Sequence, residues 1–259
     1  MEYPFTTILQ WLSDYLLPLI RVLAMLMVMA GIGARNVPSR VKLGLGLVIV
    51  MVAVPVLPPV QFTNLFSFEM ILVVVQQLLI GVAMGFASLL LLNTFIIAGQ
   101  ILAMQTGLGF ASVVDPSNGL NVPAVGQFYL ILTTILFFVL NGHLMMIQMI
   151  VHSFIAVPID GSWWAVDHYW DIVNWGGWMF ASALVLALAP LTAMLVINLS
   201  FGVMTRASPQ LNIFSIGFPF TLVSGLTIIW ATLGNFMAQF EAQWLRMVEL
   251  MCSMVGCAP

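Results

Sequence analysis

Charged residues are scarce in this sequence. Asp, Glu, Lys and Arg together make up 6% of the 259 residues, whereas roughly 25% is usual in soluble domains. Hydrophobic residues make up 62%, and several apolar runs approach the roughly 20 residues that a helix needs to cross a bilayer. We therefore predict an integral membrane protein without a large extramembrane domain.

Basic clusters, cysteine frameworks and catalytic motifs are also lacking. The net charge is −3, and no basic run offers a contact to nucleic acid. The two cysteines, Cys252 and Cys257, have no His or third Cys beside them, so no disulfide or metal scaffold is expected. No Ser-His-Asp, Cys-His, paired-carboxylate or phosphate-binding Gly motif is present. The sequence thus predicts a protein that is not an enzyme and has no cofactor or metal.

Six apolar segments predict about six long helices. They cover residues 8–30, 43–57, 70–104, 128–157, 178–201 and 214–240. The second segment has only about 15 residues and the third about 35, although a simple span takes about 20. These unequal lengths favour helices that are tilted, broken or partly outside the bilayer, where neighbouring protein holds them.

Positive charge is concentrated in one connection, at residues 31–42, which holds half of the Lys and Arg of the chain. Because cytoplasmic loops are enriched in Lys and Arg, we predict that this connection is cytoplasmic. Counting alternately along the chain places the connections at 107–126 and 202–212 on the same side, and both termini outside. The residues assigned to the cytoplasmic loops are Arg35, Arg40, Lys42, Arg206, Pro209 and Gln210.

Two ionisable side chains lie within the first apolar segment. Asp14 and Arg21 are seven residues apart, which puts them two turns apart on one helix face. An unpaired charge in the membrane costs several kcal/mol, so both are expected to face protein or water. A proton or ion relay is one interpretation. An ion pair between subunits or at a helix end is favoured over it, because no further carboxylates continue a path.

The third and fourth segments carry small and polar residues that suit helix packing. Gly81 and Gly85 have the spacing of four that allows close approach of another helix, and the amides of Asn93 and Gln100 can hydrogen-bond across such a contact. We predict intramembrane packing, with a face for assembly with other subunits as the alternative. His143 could shuttle protons, but an interhelical hydrogen bond is the preferred interpretation.

The connection at 107–126 is apolar and glycine-rich, which is unusual for a loop. Its Asp-Pro-Ser-Asn-Gly sequence is turn chemistry and predicts a chain reversal. Irregular backbone at membrane depth persists only where protein buries it or where it lines a cavity. A flexible apolar plug in a conduit meets this condition, and a re-entrant packing loop without a gating role is the alternative. The residues assigned to the plug are Gly107, Leu108, Gly109, Phe110, Val113, Val114, Asp115, Pro116, Gly119 and Pro123.

A series of motifs resembles the FliR family of flagellar biosynthetic proteins, which is homologous to the SctT component of type III secretion injectisomes. The motifs keep their order over nearly the whole chain: Arg40-Val-Lys-Leu-Gly-Leu-Gly46, Gln77-x-Leu-Ile-Gly-x-Ala-x-Gly-Phe86, Gln105-x-Gly-Leu-x-Phe-Ala111 with Asp115-Pro116, Phe138-x-x-Asn-Gly-His-Leu144, and Pro209-Gln-Leu-x-Ile-Phe214 with Ile216-Gly-Phe-Pro219. The first of them and the short C-terminus favour the flagellar branch.

The resemblance implies an all-α integral membrane protein of the bacterial inner membrane, in the flagellar basal body. It implies a FliP-like part at residues 1–175 and a FliQ-like helical hairpin at 176–259. Such a chain would join about five FliP-like and four FliQ-like subunits in a helical hetero-oligomeric export gate, with an FlhB-like protein at its cytoplasmic end. In this family the loop corresponding to 107–123 plugs the closed conduit for unfolded flagellar proteins, with Phe110 in its apolar tip.

Two other functions stay open on the residues alone. A small secondary transporter would use Asp14, Arg21 and His143 as a relay, and would have two repeated halves with a substrate pocket between them. The two halves of this sequence are not alike, because four apolar segments precede the Trp-rich loop at 158–175 and two follow it. A passive membrane scaffold is the other alternative, and it would tolerate deletion of the apolar loop.

Overall fold

A computed structural model describes residues 5–57, 68–110, 112–114, 121–159, 166–207 and 217–256. Within these ranges the chain is almost entirely helical, which confirms the predicted all-α membrane class. The α-helices are α1 (Phe5–Val28), α2 (Ser39–Ala53), α3 (Phe68–Gln105), α4 (Ala124–Val139), α5 (Gly142–Ala156), α6 (Val166–Ala207), α7 (Phe218–Thr232) and α8 (Phe236–Val255). Short 3-10 turns cover Val54–Val56, Leu108–Phe110 and Leu233–Asn235. Two three-residue strands, β1 (Ser112–Val114) and β2 (Asn121–Pro123), form an antiparallel pair.

Several of these helices are long and apolar enough to cross a membrane. In the described part of the chain they are Ser39–Val56, Phe68–Gln105, Asp167–Ala207 and Phe218–Val255, and α4 with α5 makes a fifth candidate if the bent pair is one span. Each predicted apolar segment corresponds to one helix or to one broken pair of helices. The prediction of about six long, partly broken helices is therefore confirmed.

Two helices are far longer than a bilayer requires. The 38 residues of α3 and the 42 residues of α6 correspond to lengths of about 57 and 63 Å at about 1.5 Å per residue. The hydrocarbon core of a bilayer is only about 30 Å thick. Each helix must therefore tilt strongly or continue beyond the hydrocarbon, in agreement with the mismatch of lengths seen in the sequence.

The fourth apolar segment breaks at Asn141 and Gly142. Asn141 has a left-handed backbone, with φ 57° and ψ 28°, which Asn tolerates better than most residues. Its N–H donates to the Phe138 carbonyl and closes the end of α4. The helices on either side meet at 63°. A continuous apolar run thus becomes two helices, because one residue leaves the helical conformation.

Two predicted boundaries are wrong because hydropathy detects apolar runs but not amphipathic helix ends. Helix α6, which corresponds to the fifth predicted segment, begins at Val166, about 12 residues before residue 178. Helix α8 continues to Val255 rather than ending at 240. Both extensions carry acidic residues. They also bury side chains at helical spacing: Ile172 and Trp175 in α6, and Met247, Met251 and Met254 in α8.

The chain divides into two compact units, each assembled from segments that are distant in sequence. The first comprises Met1–Leu89, Phe137–Trp175 and Arg246–Pro259, and the second comprises Leu90–Leu136 and Gly176–Leu245. One boundary falls between Trp175 and Gly176, the position at which the sequence predicts the end of the FliP-like part. The division into FliP-like and FliQ-like parts stays a prediction.

In the first unit, α1 packs closely on α3 through glycines. A Cβ at Gly81 would lie 2.7 Å from the Ala24 Cβ and would collide with the Arg21 carbonyl oxygen, and a Cβ at Gly85 would lie 2.7 Å from the Met25 carbonyl oxygen. These contacts advance in the same direction along both helices, so α1 and α3 are parallel.

Helix α2 runs in the opposite direction to α1. Near the start of α2, the Lys42 ammonium bonds to the carbonyl oxygens of Gly33 and Ala34, and one turn later Gly46 meets Leu23. The contacts therefore move backwards along α1 as α2 proceeds. The first three helices alternate in direction, as the alternating count of spans requires.

In the second unit, an aromatic cluster holds α3 against α4 and α8. The Phe95 ring lies 5.1 Å from Phe236 and 5.7 Å from Phe240, centroid to centroid, and Tyr129 stacks on Phe236 at 5.3 Å. Gly99 permits the approach of Tyr129. Aromatic pairs at these separations contribute about 0.5–1.5 kcal/mol beyond the area that they bury, so this cluster stabilises the packing of α3 with α4 and α8.

Cys252, buried near the end of α8, is disulfide-bonded. The other cysteine of the chain, Cys257, lies outside the described residues. The expectation of no disulfide is therefore wrong at this position, because the lack of a multi-cysteine framework does not exclude a single bond.

Substitution of Gly81 tests the contact between α1 and α3. We expect Gly81→Ala to destabilise the protein by about 1–3 kcal/mol, as overpacking usually does, because the added methyl group meets the backbone of α1. The readout is a lower midpoint of thermal unfolding in detergent. Gly44→Ala is the matched control, since a Cβ there meets nothing within 4 Å. Equal unfolding midpoints for the two variants would contradict the close helix contact.

Candidate functional site

The loop at 107–123 leaves α3 through a glycine in the left-handed conformation. The Thr106 N–H bonds back to the Leu102 carbonyl at 3.0 Å and completes the last turn of α3. Gly107 then has φ 77°, a conformation that costs glycine little and other residues much more. The direction in which the loop departs from the helix is therefore set by the backbone of one residue.

Beyond Gly107 the loop consists of a 3-10 turn and a small hairpin. The turn at Leu108–Phe110 packs against β2, and Ser112 pairs with Pro123, Val113 with Val122 and Val114 with Asn121. The antiparallel pairing confirms the chain reversal that the turn sequence predicts. Asp115, Pro116 and Gly119 lie outside the described residues, as do the side chains of Phe110, Val113 and Val114.

Helix α7 holds the base of this loop. Thr106 is only 1% exposed, and its side chain fills the space over Gly225, where a Cβ would collide with it. The Thr106 Oγ1 donates to the Leu102 carbonyl at 2.9 Å. The Phe218 ring lies against Gly107, with Cε2 only 3.2 Å from the position of an added Cβ. The base of the loop is therefore fixed by contacts with a helix more than 100 residues later in the sequence.

Sequence reasoning missed the roles of Thr106, Phe218 and Gly225. The available signal was the single Gly225 within the apolar run of α7, since a glycine inside a helix costs roughly 1 kcal/mol and needs a packing reason. The sequence carried no indication of which helix would fill that space.

The loop re-enters the helical structure at α4, which packs tightly on α3. Pro123 ends β2 and α4 starts at the next residue. Gly126, in the first turn of α4, faces Gln100, whose Cγ is 3.1 Å from the position of an added Cβ. Both ends of the loop are thus attached to packed helices, at Gly107 through α7 and after Pro123 through α4.

Arg21 is completely buried in the first unit and donates to three residues. Its Nε donates to Gln77 Oε1 at 2.7 Å, Nη1 donates to the Ser153 carbonyl and Oγ at 3.0 and 3.1 Å, and Nη2 donates to the Val157 carbonyl at 2.9 Å. The guanidinium also lies 4.4 Å from the centroid of the Phe154 ring. The charge is thus stabilised by an amide, a hydroxyl, an aromatic face and the carbonyl groups at the negative end of the α5 dipole.

Asp14 and Arg21 have different surroundings. Asp14 is half-buried and accepts a hydrogen bond from Gln10 Nε2 at 3.1 Å, one turn earlier. Within the described residues, the hydrogen-bond acceptors of Arg21 are all neutral groups. The C-terminal carbonyl groups of α5 supply acceptors that the sequence pattern does not reveal, and an ion pair between subunits stays a prediction.

The remaining polar residues predicted for packing lie at less enclosed positions. Asn93 and Gln100 are partly exposed on α3. His143 is half-buried at the start of α5, with its ring 5.2 Å from the Phe138 ring. The His143 Nδ1 has no hydrogen-bond partner in the part of the chain that the structure describes. The predicted interhelical hydrogen bond is therefore not made by this nitrogen, and a ring contact is found instead.

The basic residues of the first connection lie partly in a helix. Arg40 and Lys42 belong to the first turn of α2, whereas Arg35 precedes it. The Lys42 Nζ donates to the carbonyl oxygens of Gly33 and Ala34 at 2.8 and 3.1 Å, so this charge stabilises the chain after α1. Arg206 is exposed in the last turn of α6. Pro209 and Gln210 lie outside the described residues, and the side of the membrane to which these residues belong stays a prediction.

A partly open pocket in the second unit is lined mainly by apolar and aromatic side chains. The lining residues are Phe95, Ala98, Leu102, Tyr129, Leu186, Pro190, Thr232, Phe236 and Gln239. Asp14, Arg21 and His143, the residues that a transporter relay would use, are not among them. The pocket therefore gives no support to a substrate site served by that relay.

Comparison with known proteins identifies the relatives of this chain. The family model for bacterial export proteins, family 1, matches residues 12–247. The chain is 39% identical to the flagellar biosynthetic protein FliR of Escherichia coli (strain K12) over 223 residues, 86% of this chain and 85% of the relative. It is 37% identical to FliR of Pectobacterium carotovorum subsp. carotovorum, covering 83% of this chain and 82% of the relative.

A more distant relative covers the chain to a similar extent. FliR of Bacillus subtilis (strain 168) is 24% identical over 82% of this chain and 83% of the relative. The match thus extends over the helices of both units and over the apolar loop. The chain belongs to the bacterial export proteins, family 1, together with these FliR relatives.

Proposed function

We propose that this chain is a subunit of the flagellar protein export gate, where it forms and seals the conduit for unfolded flagellar proteins. It lies in the bacterial inner membrane, in the flagellar basal body. The proposal depends chiefly on one feature: an apolar loop at 107–123 with a fixed base and a paired backbone. Apolar side chains at a constriction exclude water and ions, so a loop of this composition suits a seal.

The hairpin explains how irregular chain could occupy a dry conduit. Backbone N–H and C=O groups that lack a partner away from water cost several kcal/mol each. Between β1 and β2, three residue pairs are in antiparallel register and satisfy part of this demand within the loop itself. The loop can then leave the conduit as one piece, hinged at Gly107, without exposing a fresh set of unpaired backbone groups.

The surface of the chain supports its assembly with other subunits. Large apolar side chains such as Phe180, Val185 and Val196 remain exposed along α6, and only 28% of an 18-residue apolar stretch of this helix is buried. In the proposed gate, about five FliP-like and four FliQ-like subunits cover much of this surface, and an FlhB-like protein contacts the cytoplasmic end. Residues 1–175 would take a FliP-like place in the ring and 176–259 a FliQ-like place. The role is not enzymatic, since energy for export comes from other components.

Removing the loop tests the seal. Deleting Gly107 to Pro123, with a short Gly-Ser linker in its place, should leave the assembled gate open to ions, because the apolar constriction is gone. The measurement is the conductance of the purified complex in planar bilayers, after its mass has shown that all subunits are present. An unchanged conductance in an intact complex would contradict the seal and favour a packing loop or a passive scaffold.

A second variant tests the hinge without removing any chain. Gly107→Val places a branched side chain at φ 77° and against Phe218, and a strained backbone of this kind costs about 1–3 kcal/mol. We expect an assembled gate that leaks, because the loop no longer leaves α3 in the same direction. Gly109→Val is the control in the same loop, since a Cβ there makes ordinary contacts of 3.5 Å and longer. Equal conductance of the two variants would exclude Gly107 as the hinge.

The buried guanidinium of Arg21 is expected to matter for assembly rather than for sealing. Arg21→Met keeps most of the side-chain volume but leaves Gln77, Ser153 and Val157 without their donor, and each unsatisfied buried group costs about 1–3 kcal/mol. We expect a lower yield of the complete complex, measured by its mass in detergent. Arg206→Met, at an exposed position, should leave the yield unchanged.

Two outcomes would count against this role of Arg21. Normal recovery of the partners with Arg21→Met would show that the hydrogen bonds are dispensable for packing. Normal recovery together with a loss of proton-coupled transport would favour the relay of a small transporter.

A further inference from the structure

Helix α2 contacts the rest of the first unit through one narrow stripe. The buried residues are Lys42, Gly46, Val50 and Ala53, which lie on one helix face at spacings of four, four and three. Gly46 allows Leu23 of α1 to approach to 2.6 Å from the position of an added Cβ. The other faces carry exposed apolar side chains, from Leu47 at 37% to Val52 at 73% exposed. Within the described residues, most of the circumference of this helix thus has no partner.

The length of α2 matches a bilayer better than that of the other continuous spans. The apolar span that includes α2, Ser39–Val56, has 18 residues, whereas the other three spans have 38, 41 and 38. Eighteen residues correspond to about 27 Å, close to the roughly 30 Å of hydrocarbon in a bilayer. An apolar helix of this length can lie with all of its outer face against acyl chains.

The composition of the outer face favours lipid over another subunit. From Leu43 to Val56 the sequence holds no polar side chain. Helix contacts between membrane proteins use small residues for close approach and polar residues for hydrogen bonds across the interface. On α2 Gly46 faces α1, and the buried polar group, Lys42, bonds to the chain after α1. The other glycine, Gly44, is exposed, and an added Cβ there would meet nothing within 4 Å among the described residues. The outer face offers mainly Val, Leu, Ile and Met.

Two free guanidinium groups lie at the N-terminal end of this helix. Arg35 and Arg40 are exposed, and within the described residues neither has a hydrogen bond or an ion pair. Residues 29–53 include no Asp or Glu that could neutralise them. Lys42 differs, because its ammonium is already bonded to two carbonyl oxygens. The unneutralised charge is thus carried by the two Arg residues that point away from the protein.

We propose that Arg35, Arg40 and the outer face of α2 form a binding site for an anionic phospholipid. The two guanidinium groups bind the phosphate of the headgroup, to which their paired N–H donors are well matched. The acyl chains lie along Val41, Val48 and Val52. A lipid with net negative charge is preferred, because the ammonium group of a zwitterionic headgroup would oppose two uncompensated positive charges. The lipid site does not involve the loop at 107–123, so its test is independent of the test of the proposed seal.

Retention of added lipid by the purified complex tests the headgroup contact. The complex of the full chain with its partner subunits is exchanged into a mild detergent with equal amounts of phosphatidylglycerol and phosphatidylcholine, and bound lipid is counted by native mass spectrometry. We expect phosphatidylglycerol to be retained in preference. Arg35→Gln and Arg40→Gln should each weaken that retention roughly fivefold, the contribution expected of one basic residue near an anionic membrane surface. Arg206→Gln removes one exposed charge elsewhere and should have no effect.

Photo-crosslinking in native membranes tests the occupant of the apolar face. A photoreactive amino acid replaces Val52, the most exposed of the three acyl-contact residues, and adducts are identified by mass. Adducts with lipid support the proposal. Adducts with another subunit would overturn it, because protein would then cover α2. Equal retention of the two lipids, or unchanged retention after both Arg substitutions, would also overturn it.

Discussion

The arrangement of the first unit depends on the burial of one positive charge. A guanidinium that is removed from water must recover its hydration from fixed dipoles, and Arg21 obtains them from α3 and from the end of α5. The donors of one side chain therefore fix the positions of three helices. The backbone of α1 can come this close to α3 because Gly81, one turn after Gln77 on the same face, has no side chain. The charge and the glycine are thus parts of one contact between α1 and α3.

A glycine also makes room for a close contact at the base of the apolar loop. Gly225 gives Thr106 its space, and Phe218 covers Gly107, so the place where the loop leaves α3 is set by α7. If residues 1–175 and 176–259 take the places of two different kinds of subunit in the gate, the loop belongs to one part. Helix α7, which holds the base of the loop, belongs to the other. In that case, joining both parts in one chain would guarantee that each such subunit carries the loop together with the helix that holds its base. This would be a physical reason for the fusion in the proposed gate.

The sequence predicted the features that follow from composition and local chemistry. Apolar runs located the six helical segments, and the Asp-Pro-Ser-Asn-Gly sequence predicted a reversal that the pairing of Val113 with Val122 confirms. The features that the sequence did not predict depend on backbone groups or on packing between residues far apart in the chain. The acceptors of Arg21 at Ser153 and Val157 are mainly carbonyl oxygens, which every residue has and no motif marks. The early start of α6 was missed because its first turns are amphipathic. Mean hydropathy over successive residues combines the buried apolar face with the polar face, so such turns do not stand out as an apolar run.

Apolar composition by itself does not show where lipid lies. Within α3, residues such as Met84, Ala87 and Leu91 are fully buried in protein, although the helix is among the most apolar of the chain. On α2 the relation is reversed, since apolar side chains are exposed around most of the helix among the described residues. The difference comes from length and from the positions of small and polar residues. Long helices with glycine, serine and amide side chains along one face bind other helices. A short helix that has no polar side chain after its first turn, and that begins beside two free Arg residues, is suited to the bilayer.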